Sequence, residues 1–505
     1  MKKLLALLLS VIMVFSMCAC SSSDGEKSDE TKDATAGSEG AEGGIDPNTL
    51  YAGFSRIQCI PDDPLVHIAG GTAVDDPATD GMLDDLSVTC VALQKNGETY
   101  LIYTCDIVDM ESFYKAVEKT VASAVGLHTN NVIFSATHTH SAPTLKSGDI
   151  NLPGAANYLT KFTDCCTEAA KDAIADLSPV SELSYGSIMT ENMVRVRHYR
   201  MKDGTTHGNG HGSATSGYES HLYPSDEECQ VIRISRSEDK DIVLFNLGAH
   251  ATIVSGTNTS ALSADFPFPA RQYIESQGDF EAAYFIAAAG DQTPGSKIAG
   301  EIKNKNHNDY GKQLGAYVID CLNNNMTVST GTDISFYTEN YVAKRNKDGV
   351  EDTVRLQKAS EILSMRTAAG GSVTKEVKEK IAEYGFNSIY EVSSLVSRSG
   401  APATGHFPIS TMLLGDIGLC FFAGEMFGSQ GRQLKDDSEV FAFVITNSED
   451  DQGYFPNATG KEENFYEYQI TKYEMGTGEA VAARFVETLS ALKNGTEPAP
   501  LPEVK

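Results

Sequence analysis

The sequence predicts an α/β fold, a large mixed β-sheet flanked by helices, and three observations predict it. Short apolar runs rich in β-branched and aromatic residues recur along the chain. Segments with apolar residues at helical spacing separate them. Each apolar run also stops abruptly at a polar residue of the kind that binds ligands or metals. Strands alternating with helices argue for this class, with a mostly parallel or mixed sheet.

In chain order, the run over 99–105 stops at Asp106, and the run over 131–137 stops at His138-Thr139-His140. The run over 241–249 stops at His250, that over 283–289 at Gly290-Asp291, and that over 417–423 at Gly424-Glu425. The intervening helical segments span 112–125, 157–177, 268–276 and 310–322. Ligands of such sheets bind beyond the carboxyl ends of the strands. Asp106, His138, His140, His250, Asp291 and Glu425 therefore collect at one edge. If the strand continues through His138 and His140, both side chains face one side, which suits one on a metal and one beside it on the substrate. Singly these signals are weak: two histidines this close are equally an ordinary polar loop, and a lone histidine is more often a satisfied polar group. The joint pattern carries the reading. His207 and His211 read as a loop, and His67, His128, His221, His307 and His406 as loop or surface residues.

The ends of the chain read differently. Lys2 and Lys3, an apolar run over 4–17 and then Cys18-Ala19-Cys20 form a secretory signal, too short for a spanning helix. The small Ala19 before Cys20 is the bacterial lipoprotein pattern, so residues 1–20 read as a lipoprotein signal peptide. A lipidated Cys20 is then expected to hold the chain on the extracytoplasmic face of the cell membrane. Residues 21–47 are almost without apolar side chains and read as a disordered acidic tether. Residues 48–495 read as one large domain, because no linker-like break interrupts them. Inside it a charged segment, 352–390, reads as a helical insertion of two helices joined near Gly370-Gly371. Its place before the last ligand-bearing strands puts it over the mouth of the site. Residues 496–505 read as a flexible tail. The net charge of -29 and the lack of any basic cluster exclude nucleic acid as a partner. Eight of the ten cysteines lie beyond the signal, show no CxxC spacing, and read as small buried hydrophobes. Nothing in the residues sets an oligomeric state.

The segment 131–143, containing His138-Thr139-His140-Ser-Ala-Pro143, resembles the zinc motif of the neutral, non-lysosomal ceramidases. Residues 246–250 with Ser263-Ala-Asp-Phe-Pro267, residues 285–294, Ala423-Gly-Glu425 and Gly453-Tyr-Phe-Pro456 resemble later regions of that family in the same order. The resemblance spans most of 51–457 and implies a Zn²⁺ ligand set of His138, His250, Glu425 and Tyr454. It places His140 on the substrate or the reacting water, and Arg197 on the scissile carbonyl, with Arg195 close enough to compete. Thr293 falls where the family carries a serine, and Asp265 and Asp291 read as loop-shaping groups. The family's C-terminal immunoglobulin-like domain has no room in the residues that follow, and the insertion is a second departure.

His and Glu donors suit Zn²⁺ with one position left for water. The implied chemistry is attack of an activated water on the amide of an N-acyl lipid, with Arg197, together with His140 or Tyr454, stabilising the oxyanion. An ester or non-lipid amide is the alternative substrate. A non-catalytic surface receptor, with two similar lobes and no metal, is the alternative class, and a family member that binds metal without turnover is a third.

Overall fold

The computed structural model describes residues 46–502 apart from 64–65, 70–77, 146–150, 153, 209–215, 258–259, 299, 303–305 and 460–464. The expected signal peptide with Cys20, nearly all of the expected tether and His211 lie outside the described residues.

Continuous apolar runs arise where a strand is covered on both faces, and that is the arrangement here. A nine-stranded mixed sheet runs in the order Phe280–Ile286, Asp241–Leu247, Glu228–Arg236, Ser178–Met189, Tyr51–Gln58, Ser87–Lys95, Glu98–Cys105, Val132–Ala136, with Met326–Val328 paired to Ser178–Met189. Two pairs are parallel: Asp241–Leu247 with Phe280–Ile286, and Glu98–Cys105 with Val132–Ala136. A helix crosses over between the strands of each parallel pair, as parallel connections require. These are α1 (Tyr114–Val125) and, after α2 (Ala155–Ala175), α3 (Pro267–Glu275). The chain continues through α4 (His307–Asn324), α5 (Thr353–Ala368), α6 (Lys375–Glu383) and α7 (Ile389–Gly400). It ends in α8 (Gly428–Asp437), α9 (Tyr466–Ile470) and α10 (Thr477–Lys493).

The period of two divides each strand between two cores. Cys90, Ala92, Leu101 and Tyr103 pack beneath α1 and α2, while Val91, Leu93 and Ile102 face the other way. There they meet Met412, Leu414, Leu419, Phe421, Phe443 and Ile445 of a second sheet. This second sheet has four strands, in the order Ile334–Lys344, Thr404–Leu414, Ile417–Phe422, Phe441–Ile445. Helices α3 and α4 cover the Phe245 and Tyr284 face, and α8 and α10 cover Phe422 on the outside of the second sheet. The large mixed sheet flanked by helices is thus present. A second sheet is sandwiched against its inner face, so the layers run helix, sheet, sheet, helix.

Residues from Asp46 onward form one compact unit, not the two lobes of a receptor. The expected two-helix insertion is three helices, and it runs past 390 to Gly400. Gly370 and Gly371, at φ 67° and 90°, end α5 as read. Gly385 at φ 74° makes a second break, and Ser388 caps α7 by accepting from Glu391 N. The three helices bury a small core of their own, including Ile362, Val377, Ile381, Val392 and Leu395. All eight cysteines beyond the signal are buried free thiols.

Candidate metal centre

The carboxyl ends of strands from both sheets meet at one place, and residues 446–449 stitch them together. Thr446 N donates to Ile286 O, Ala136 N to Asn447 O, and Glu449 N to Phe134 O. Asn447 N donates to Gly424 O, which sets Glu425 of the second sheet beside His138 of the first. Gly424 lies at φ 141°, and a Cβ there would meet Gly453 O at 2.7 Å, so the turn into Glu425 requires glycine. Glu425 and Tyr454 then pair in register across a two-residue parallel ladder.

The strand into the His-Thr-His segment stops at Ala136, and His138 sits at φ 62°. The expectation that an extended strand aims both histidines is therefore corrected. A left-handed residue turns the chain, and Thr139 then bridges to Ala251 while His140 N donates to Ala251 O. The rings still converge. His138 Nε2 lies 3.2 Å from His140 Nε2 and 3.4 Å from Glu425 Oε2, and His250 Nε2 lies 3.1 Å from Glu425 Oε2. The ligand atoms of His138, His140 and His250 all lie within 4.8 Å of one another, a group capable of holding a metal.

Those separations fit a metal. Tetrahedral Zn²⁺ with bonds of about 2.05 Å spaces its ligand atoms at about 3.3 Å. The surroundings also set the tautomers. His138 Nδ1 is 2.7 Å from Val108 O, and His250 Nδ1 is 2.9 Å from Gln292 O. A carbonyl there requires Nδ1–H, which leaves Nε2 as the ring nitrogen that faces inward. Glu425 Oε2 is buried without a hydrogen-bond donor, as an oxygen reserved for a cation would be.

The electrostatics are those of a crowded, desolvated site. Burial works against a charged His138, but Glu425 and Asp109 outweigh it and hold the imidazole up at about 10. Burial and then Arg197 push His250 down to about 4. Burial would raise Glu425, yet His138 and His250 hold it well below the usual carboxylate range. Burial, with Glu425 beside it, pushes the Tyr454 phenol well up.

Arg197 and Arg195 part company. Arg195 turns to Glu227 and Asn192. Arg197 turns to the site, with Nη1 3.2 Å from His250 Nε2 and its guanidinium 5.5 Å from the Tyr454 ring centre. The structure thus brings His138, His140, His250, Glu425, Tyr454 and Arg197 together. Thr293 lies one residue from Gln292 but pairs with Arg195, and its hydroxyl accepts from Gly295 N. Asp265 accepts from Val254 N and Phe266 N, and Asp291 from Gly428 N, which is loop shaping. His221 and His307 differ from the loop reading: both are half-buried, against Glu301 at 2.7 Å and Asp84 at 3.0 Å. Sequence reading missed Asp109, Gln292 and Glu467. Asp109 stands just past a strand end that was recognised, whereas Gln292 acts through its backbone carbonyl and Glu467 lies in a segment with no strand signal.

No protein-family model and no curated protein sequence matches the chain. Solved structures do match. One is a neutral ceramidase from Pseudomonas aeruginosa, at 18% identity and a TM-score of 0.65. Another is a ceramidase complexed with C2, at 16% identity and a TM-score of 0.66. Each match covers 91% of this chain and 77% of the other. The chain therefore has the fold of the neutral ceramidases.

Proposed function

We propose that this protein is a zinc-dependent amidohydrolase that cleaves the N-acyl amide of a ceramide-like lipid. The observation that carries this reading is the convergence of inward-facing histidine Nε2 atoms on an undonated Glu425 oxygen at 3.1 to 3.4 Å, with the Arg197 guanidinium beside them. The fold shared with two ceramidases supports the substrate class.

His138, His250 and Glu425 would hold the ion, with Tyr454 in the fourth ligand place. Bound there, Zn²⁺ supplies Lewis acidity that brings the pKa of a water down to roughly 7. The chain's own groups do the rest. Burial works against a charged Arg197, but Glu467 and Glu425 outweigh it and keep the guanidinium protonated. Its Nη1–H is the donor for oxygen charge building on the scissile carbonyl. The Tyr454 ring stands 5.5 Å from the same guanidinium, so its phenol lies on the oxyanion side as well as in the ligand place. His140 is half-buried whereas His138 and His250 are buried, so it faces the open side and can pass a proton to the leaving amine. Thr293, whose hydroxyl accepts from Gly295 N, is given no step here. In the cell, a lipidated Cys20 would hold the enzyme on the outer face of the membrane, within reach of lipid.

Release of fatty acid from a fluorescent ceramide, with chelator and with zinc restored, tests the reading. We expect about one zinc per chain, lost in His138→Ala together with activity. His140→Ala should keep the metal while kcat falls by roughly 10²- to 10⁴-fold. Loss of zinc in His140→Ala would make that residue a ligand instead. Tightly bound zinc without any release from ceramide would keep the centre and reject the substrate.

A further inference from the structure

Helix α9 holds the buried carboxylate that fixes the arginine of the candidate centre. Glu467 is fully buried, and both of its oxygens are engaged. Arg197 Nε donates to Oε1 at 2.7 Å, and His198 Nε2 stands 3.0 Å from Oε2. His198 is itself immobilised, stacked on Phe465 at 4.1 Å between ring centres. Burial alone would raise the Glu467 carboxyl, but Arg197 and His198 outweigh it and hold it down at about 2. The carboxylate is therefore charged throughout the working pH range.

The guanidinium of Arg197 is pinned at one further point, Nη2 donating to Gly290 O at 2.8 Å, and its backbone is tied in place by Arg197 N donating to Asp291 O at 2.9 Å. With Nε and Nη2 committed, the plane of the fork is set, and Nη1 is the nitrogen left facing the ligand set, 3.2 Å from His250 Nε2. A metal engaging that Nε2 lone pair would leave the Nη1–H for a substrate oxygen. After Glu467, the carboxylate that acts most on Arg197 is Glu425, and a freed Arg197 would be drawn to it. That would take the donor off the carbonyl and set a cation against a ligand carboxylate.

We propose that Glu467 is the positioning residue that aims Arg197 at the reacting carbonyl. The inference rests on the hydrolase reading above. Helix α9, which carries Glu467, is braced from its other side. Ser388 Oγ donates to Gln469 Oε1 at 2.6 Å, Arg398 Nη1 donates to Gln469 O at 3.1 Å, and Tyr390 packs on Tyr466 at 5.1 Å between ring centres. Thr471 Oγ1 donates to Tyr454 O at 2.9 Å and ties the same segment to the ligand strand. The insertion thus reaches the centre through α9. Arg195, two residues away, has its own acid in Glu227 at 2.7 Å and so does not compete for Glu467.

The test is a double-mutant cycle on the full-length protein in detergent micelles with fluorescent ceramide. Glu467→Gln is expected to lower kcat by roughly 10- to 100-fold with KM within about threefold of wild type and zinc content unchanged. In an Arg197→Ala background the same substitution should change kcat less than about twofold. Glu467→Asp should recover part of the loss. Equal losses in both backgrounds, or a loss that follows zinc content, would overturn the proposal. If Glu467→Gln does not fold, Glu467→Asp takes its place in the cycle under the same criteria. Should wild type prove inert on ceramide, the hydrolase reading falls and a spectroscopic arm decides this one. In ¹⁵N-arginine-labelled protein the Arg197 Nε–H signal is identified by its loss in Arg197→Lys. It is expected to shift and to exchange with water about tenfold faster in Glu467→Gln. A signal unmoved by that substitution would refute the positioning role.

Discussion

His138 holds its imidazole on a backbone at φ 62°, a conformation that costs a non-glycine residue roughly 1–3 kcal/mol. Asn447 and Glu449, which stitch the two sheets beside it, sit at φ 52° and 59°. Three strained residues around one buried cluster are what a functional centre shows when surrounding packing over-determines its geometry. Glu449 adds a titration to this strain. Its Oε1 accepts from Ser410 at 3.1 Å, its Oε2 has no partner, and burial pushes its carboxyl up to about 7. Unfolded, it titrates near the ordinary value of 4.5. Between those values the folded chain keeps a proton that the unfolded chain has released, so stability falls as pH rises through the window. The loss reaches up to roughly 3 kcal/mol above pH 7. Glu449→Gln should therefore gain in urea midpoint relative to wild type at pH 8 and gain little at pH 4.5. A difference that is the same at both pH values would contradict the burial argument.

At the scale of elements, each strand is divided by its period of two between a helix-covered face and the face shared by the two sheets. Close approach then makes particular demands. At Gly53, in the Tyr51–Gln58 strand, a Cβ would lie 2.0 Å from Ala173 O and 3.0 Å from Leu177 N, both backbone atoms at the end of α2. Neither can yield as a side chain could. Gly53→Ala should force α2 off the sheet and lower the unfolding free energy by more than about 2 kcal/mol, read as a drop in urea midpoint. An unchanged midpoint would show that α2 shifts freely. The helices of the insertion obey local rules instead. Asp352, Thr374 and Ser388 each cap a helix by accepting from a backbone N–H. The glycine pair near 370 was legible as a break. The shorter break at Gly385 with Ser388 was not, because capping signals of that kind also occur in ordinary turns.

For the whole molecule, the lipoprotein signal read from the first twenty residues makes a proposal about location. Cys20→Ser should move the protein from the membrane to the soluble fraction and abolish labelling by fatty acid. Membrane retention in that variant would remove the lipoprotein reading. Tyr454 and Arg197 came from the resemblance to the ceramidases, and Asp106, at the end of another apolar run, is paired with Arg271 instead of joining the centre. The residues alone pointed to the α/β class and to His138, His140, His250 and Glu425 where apolar runs stop. Those signals are local: hydrophobic period, run length, and the residue type at which a run stops. Only the tertiary structure decided that a second sheet packs on the first, and that the 446–449 crossing brings Glu425 to His138 over nearly three hundred residues of chain. It also separated Arg197 from Arg195, since both stand in the same short motif and differ only in their partners. Glu467 was invisible for the same reason: its meaning lies in a 2.7 Å contact with a residue 270 positions away, and no local pattern encodes such a contact.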